Sequence, residues 1–294
     1  MRAGPIDADK PLPAPDEAGW GAVGTEVEVV IDGHSAIAAS SFHLPSGAIT
    51  AVIGPNGSGK STLLNLLAGL LPPSAGTLEV LGGEATETRN SIAYVLQATN
   101  VNETLPLSVR DVVTMGRYSS RGLTGRLDAG DRAAVQRAME SLGIADLARR
   151  SLHELSGGQR QRVFVAQGLA QDHSLLLLDE PLMGLDLVST GAIERVIIEE
   201  RNDGRTVVLT THDVSQALEA DWTILMAGRV LAFGAPVEVL TPENLAIAYG
   251  IKVVQGPDGR FVVDDAAHAA VAGRHVHLDR SLHLEAPGSG LHRD

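Results

Sequence analysis

Valines alternate with polar residues over Thr25–Ile31, the period-2 pattern of a strand with one buried face. Ile49–Ile53 is a short continuous apolar run. It predicts a second strand that passes directly into a glycine-rich turn and an apolar helix, Ser61–Leu70, closed by Pro72 and Pro73. From about residue 98 to 155 strand signals are few and helical spacing takes over. Val135, Met139, Leu142 and Leu147 mark one face of a helix predicted over Asp131–Leu147. Strand signals then return. Ser174–Leu178 and Thr206–Thr210 read as strands buried on both faces. Ile224–Phe233 reads as a hairpin around Ala227-Gly228-Arg229. No internal repeat interrupts the pattern, which predicts an α/β core with a mostly helical insertion.

The ends follow a different pattern. Residues 1 to about 24 read as a disordered leader rich in Pro, Asp and Gly. Without an apolar stretch, the first twenty residues carry no secretory signal. The extension 251–294 is rich in Gly, Asp and His and reads as flexible, poorly ordered beyond Val263. Five of the ten histidines fall there: His268, His275, His277, His283 and His292. Imidazole is a common zinc ligand, but only His275 and His277 are close, and the spacing sets no ligand group.

Composition narrows the function. The 294 residues are 44% hydrophobic and 20% charged, ordinary for a globular protein with an ample core. Aromatics make up only 3%, so the core rests on Leu, Val, Ile and Ala. A formal charge of −13 argues against a general nucleic-acid binder. With no cysteine, thiol and disulfide chemistry are excluded. No apolar run approaches the ~18 residues a bilayer span requires. Work at a membrane would therefore require docking to a separate chain.

Gly54-Pro55-Asn56-Gly57-Ser58-Gly59-Lys60-Ser61 matches the phosphate-binding pattern GxxxxGK[ST]. Glycines let the backbone curl so that successive N–H groups face the phosphates, and a helix start adds its positive dipole end. Lys60 suits the β- and γ-phosphates, Ser61 suits Mg²⁺, and Thr62 suits a further phosphate contact. Asp179-Glu180 follows the predicted strand at its C-terminal end, where ligands gather in open α/β sheets. Asp179 suits the Mg²⁺ shell, and Glu180 suits polarising an attacking water as general base.

Leu155-Ser156-Gly157-Gly158-Gln159 lies between these motifs, after the insertion and before an apolar helix. With it the sequence resembles the ATP-binding cassette family over about residues 25–250. The resemblance extends to Gln97 as the Q-loop glutamine, Gly184-Leu185-Asp186 as the D-loop and His212 as the switch histidine. It implies a P-loop NTPase core with an antiparallel β subdomain and an inserted α-helical subdomain at about 98–160. It further implies a head-to-tail pair of copies. ATP held at Lys60 of one copy would be covered by Ser156, Gly157, Gly158 and Gln159 of the other. Gln97 would ligate Mg²⁺, His212 would hold the γ-phosphate and the water, and Asp186 would link the two sites. Many cassettes stack adenine on an aromatic side chain. Here Ile31 or a neighbour falls at that place, and Trp20 lies upstream.

Three kinds of cassette are compatible: an importer ATPase, an exporter ATPase, and a soluble member acting in DNA repair or translation. One cassette in the chain and a short insertion disfavour the last. Asn102–Arg117, Gly116-Arg117-Tyr118 and Gly125-Arg126-Leu127 resemble importers of metal ions and of iron–siderophore complexes. Phe233-Gly234-Ala235-Pro236, Leu240–Leu245 and Tyr249-Gly250 look most like zinc and manganese importer ATPases. The implied partners are a membrane permease, a second copy of the chain and, indirectly, an extracytoplasmic binding protein. The implied location is the cytoplasmic face of the membrane. Apolar and basic residues between Leu105 and Arg117 are expected to line a groove for a permease helix, with Arg110 and Arg117 in contact.

Overall fold

The computed structural model describes residues 19–96, 107–121, 126–250, 252–255 and 261–264. The chain divides after Gly250 into two compact units.

The first unit opens with an antiparallel sheet. β1 (Trp20–Ile31) pairs with β2 (His34–Pro45) on one side and β4 (Ala75–Val80) on the other, and a short β5 (Gly83–Glu84) extends β4. β1 therefore begins five residues before the expected strand, and Trp20–Gly24 does not belong to a disordered leader. The glycines that suggested disorder are required by packing. A Cβ on Gly24 would lie 2.6 Å from the Phe42 ring, and one on Gly21 would lie 2.8 Å from Leu44. β2 was not expected at all, yet Asp32-Gly33 is a strong two-residue hairpin signal. Both residues have positive φ, 51° and 78°, as a type I′ turn requires.

The second sheet holds β10 (Val230–Gly234), β9 (Trp222–Met226), β3 (Ile49–Ile53), β8 (Thr206–Thr211), β7 (Leu175–Leu178) and β6 (Ile92–Val95), in that spatial order. All neighbours are parallel except the β9–β10 hairpin. β3, β7 and β8 are buried along their whole length, as parallel strands covered on both faces must be.

α1 (Lys60–Leu67) packs its leucines between the two sheets. It ends three residues earlier than expected, because Gly69 turns the chain into the left-handed region (φ 67°) ahead of the prolines. A short α2 (Ala85–Thr88) precedes β6.

Between β6 and β7 lie α3 (Val109–Met115), α4 (Tyr118–Arg121), α5 (Ala129–Ser141) and α6 (Gly157–Leu169). α5 stops at Ser141 instead of reaching Leu147. Gly143, with φ 62°, breaks the helix, and Ala145–Leu147 forms a separate 3-10 turn. α7 (Leu187–Asn202), α8 (Val214–Leu218), α9 (Pro236–Val239) and α10 (Pro242–Tyr249) complete the unit.

The second unit contains a hairpin of β11 (Lys252–Gln255) and β12 (Phe261–Asp264). The histidines of the tail lie outside the described residues. No described helix is long and apolar enough to cross a membrane.

Candidate functional site

The strand order sets the site. β8 separates β3 from β7, and the parallel register brings the C-terminal ends of all three together. Ile53 pairs with Thr211, and Leu178 pairs with Leu209. The loop after β3, the acids after β7 and His212 after β8 therefore emerge side by side at one edge.

The loop from Gly54 to Gly59 is fixed by its surroundings. A Cβ at Gly54 would meet the Met226 carbonyl oxygen at 2.2 Å, so no other residue fits. Gly59 has φ 98° and lies against the Ala36 carbonyl, which brings β2 over the loop. The Gly228 N–H donates to the Ser58 carbonyl at 3.0 Å, and the Gly228 carbonyl accepts from Ala38 N–H at 2.8 Å. The turn between β9 and β10 thus staples the loop to β2.

Gly59 gives α1 no side-chain cap, so the first N–H groups of that helix are left to an anion. The Ser58 hydroxyl is buried in the loop without a partner, close to Gly54. Lys60 is buried, and its ammonium donates to the carbonyls of Gly54 (2.9 Å) and Pro55 (3.1 Å). Burial pushes its pKa down, while the charges of Glu180 and Asp179 oppose that shift. Ser61 is exposed and Thr62 half-buried at the start of the helix.

Asp179 is held through both its backbone and its side chain. Its N–H donates to the Val95 carbonyl at 2.9 Å, and its Oδ1 accepts from the Thr210 hydroxyl at 2.6 Å. The same hydroxyl oxygen accepts from the Glu180 N–H at 2.7 Å. Glu180 has φ 46°, a conformation that costs a non-glycine residue roughly 1 kcal/mol. It lines a cavity of about 200 Å³ with Thr210, Thr211, His212 and Gln216. His212 is exposed at the mouth. Gln97 lies outside the described residues.

Ser156 caps α6. Its hydroxyl accepts from the Gln159 N–H at 3.3 Å, and the Gln159 side chain accepts from the Ser156 N–H at 3.1 Å. This reciprocal box leaves Gly157 in open space. Gly158 instead abuts α7, where a Cβ would lie 2.5 Å from Asp186 Oδ2. Asp186 caps α7, accepting from the Ser189 N–H and hydroxyl at 2.9 and 2.8 Å. The Ser189 N–H, followed by its hydroxyl, holds the carboxyl below the usual range.

One expectation changes. Arg117 is no groove residue. It is 5% exposed, and its guanidinium donates to Asp131 at 2.9 Å, to both Asp172 oxygens at 2.8 Å and to the Ala170 carbonyl at 2.8 Å. Arg110, by contrast, is exposed on α3. Trp20 lies at the far end of β1 from Ile31, roughly 35 Å along the strand. It packs against His43 at 3.9 Å and is removed from the nucleotide side. Ile31 is 42% exposed at the hairpin tip, the end of β2 nearest Gly59. Thr210 carried no expectation. The sequence offered little to single it out, because β8 carries three threonines, Thr206, Thr210 and Thr211, around Val207, Val208 and Leu209.

Comparison with known proteins now decides the family. The profile of the ABC transporter family matches residues 37–183. The chain belongs to that family. It is an ATPase, of a family that binds ATP. The manganese transport system ATP-binding protein MntB of Bacillus subtilis is 39% identical over 71% of this chain and 84% of its own length. The zinc transport system ATP-binding protein TroB of Treponema pallidum is 40% identical over 78% of this chain and 88% of its own length. A third relative, the chelated iron transport system protein YfeB of Yersinia pestis, is 40% identical over 74% of this chain and 75% of its own length. Among solved structures, an inward-facing ABC transporter assigned to the metal-chelate type superposes with a TM-score of 0.70. Its identity is 30%, covering 85% of this chain and 99% of that one.

Proposed function

We propose that this ATPase powers the uptake of a transition-metal ion, manganese or zinc, through a separate membrane permease. The observation that carries the cargo reading is the likeness to manganese and zinc transport ATP-binding proteins over 71% and 78% of this chain. Iron–chelate import is the second reading, favoured by the Yersinia pestis relative of equal identity.

The residues support the following division of work. The N–H groups at the start of α1, the Ser58 hydroxyl and Lys60 bind the phosphates. For that, Lys60 exchanges the carbonyls of Gly54 and Pro55 for phosphate oxygens. Glu180 takes the proton of the attacking water, and His212 holds that water and the γ-phosphate. Mg²⁺ fits the donors present. Among the described residues, Asp179 Oδ2 makes no hydrogen bond and no cluster of three carboxylate or imidazole ligands competes, and Ser61 is exposed in the first turn of α1. A cation held by few protein oxygens and by substrate phosphates is the usual Mg²⁺ arrangement. Asp179, Ser61 and Gln97 would hold it, and it would neutralise phosphate charge. Adenine would meet only the apolar Ile31. The signature, with Ser156 and Gly157 exposed, would complete the site on a second copy.

Deletion of the gene should impair growth in chelated medium, with manganese or zinc restoring it. Rescue by a ferric chelate alone, with normal manganese and zinc uptake, would replace this cargo with the second reading.

A further inference from the structure

We infer that Thr210 is a positioning residue for ATP hydrolysis, its hydroxyl bridging the carboxylate of Asp179 and the backbone of Glu180. This rests on the assignment of those two acids proposed above. Thr210 is fully buried in β8, directly after Val207, Val208 and Leu209, in a strand buried at all six positions. An apolar side chain would be the default there, because a buried hydroxyl is costly unless both its donor and acceptor capacities are used. Here both are. The proton goes to Asp179 Oδ1 at 2.6 Å, and a lone pair receives the Glu180 N–H at 2.7 Å.

The bridge has two consequences. Committing Oδ1 to Thr210 leaves the other carboxylate oxygen as the one that would serve the cation. Anchoring the Glu180 N–H holds that residue at φ 46°, which the chain would not otherwise favour. The path from β7 into the following turn is therefore tied to a hydroxyl of the neighbouring strand. Sub-ångström placement of a base is worth large factors in rate.

The test compares Thr210→Val, which keeps shape and strand propensity but lacks the hydroxyl, with Thr210→Ser, which keeps the hydroxyl but lacks the methyl. Purified full-length protein is assayed for ATP turnover, and separately for ATP affinity in EDTA and in Mg²⁺. The bridge predicts that the valine variant loses at least tenfold in kcat with KM changed less than threefold. It also predicts that ATP affinity in EDTA is unchanged and that the affinity gained on adding Mg²⁺ is reduced severalfold. The serine variant should recover both readouts to within threefold. Valine with parental kcat and parental Mg²⁺ gain would overturn the inference. So would serine falling as far as valine, since packing and not the hydroxyl would then be at work. Glu180→Gln assayed alongside separates the underlying assignment. Parental turnover there removes the base assignment, while the Mg²⁺-dependent affinity of the valine variant still judges the bridge to Asp179.

Discussion

At the scale of single residues, the molecule uses buried polar atoms sparingly, and each has a reason or a cost. His43 is the clearest cost. It is 1% exposed, stacked among Trp20, Trp222 and Phe233, and neither ring nitrogen has a partner. Burial lowers its pKa from 6.5 to about 4. The unfolded chain therefore binds a proton between those values that the folded chain refuses. The neutral imidazole contributes fully above about pH 6.5, and stability drains away as pH falls toward 4. The loss should reach on the order of 2–3 kcal/mol. His43→Phe, which preserves the aromatic contacts, should remove most of that dependence. Urea midpoints at pH 7 and pH 4.5 check this, and an equal acid shift in both proteins would show that other groups govern it.

At the scale of elements, the helices between β6 and β7 are tied to the core by charge as well as by apolar packing. Arg117 joins the N-terminus of α5, through Asp131, to the segment after α6, through Asp172. The hydrogen bonds from the Asp128 N–H and from Arg117 hold Asp131 down at about pKa 2. One residue on, His173 meets Glu200 of α7 at 2.7 Å, and Arg205 completes that pair at 2.6 Å. Arg117→Ala would leave buried Asp131 with less compensation and should lower Tm by about 5–10 °C. Arg110→Glu, exposed on the same segment, should leave Tm within about 2 °C and reduce transport without reducing basal ATPase activity. Thermal melts and vesicle uptake measure the two effects.

The sequence showed the elements whose signal is local. The apolar runs of β3, β7 and β8, the β9–β10 hairpin and the glycine-rich loop were all legible, because burial on both faces and turn chemistry leave marks within a few residues. The elements it hid depend on partners far along the chain. The first turns of β1 read as disorder because their glycines answer to Phe42 and Leu44, about twenty residues away. β4 and β6 are short strands completed by β1 and β7. Arg117 looked like a surface cation because Asp172 lies 55 residues later. In the site, the motif residues could be named from the sequence, but the Thr210 bridge could not, since it exists only once β8 lies beside β7.

At the scale of the whole molecule, one chain carries one phosphate loop with its acid pair and one exposed signature. Gly157 faces open space at the start of α6, and Leu187 and Val188 beside it are among the most exposed apolar residues described. Apolar side chains left in water next to an anion-binding helix start suit a surface that closes on a second copy when ATP is present. Ser156→Arg should block that closure by bulk and by removing the cap of α6, while ATP still binds the single chain through Lys60. Equilibrium ATP binding to this variant checks the second half, with affinity expected within about threefold of the parent.

The central claim, that an ATP site is shared between two copies and emptied by Glu180-dependent hydrolysis, is tested most directly by the mass of Glu180→Gln in solution with Mg·ATP. Light scattering should give the 30.7 kDa of one chain without nucleotide and twice that mass with it, reverting when Ser156→Arg is added. A single-chain mass at saturating Mg·ATP, with ATP bound, would contradict the account.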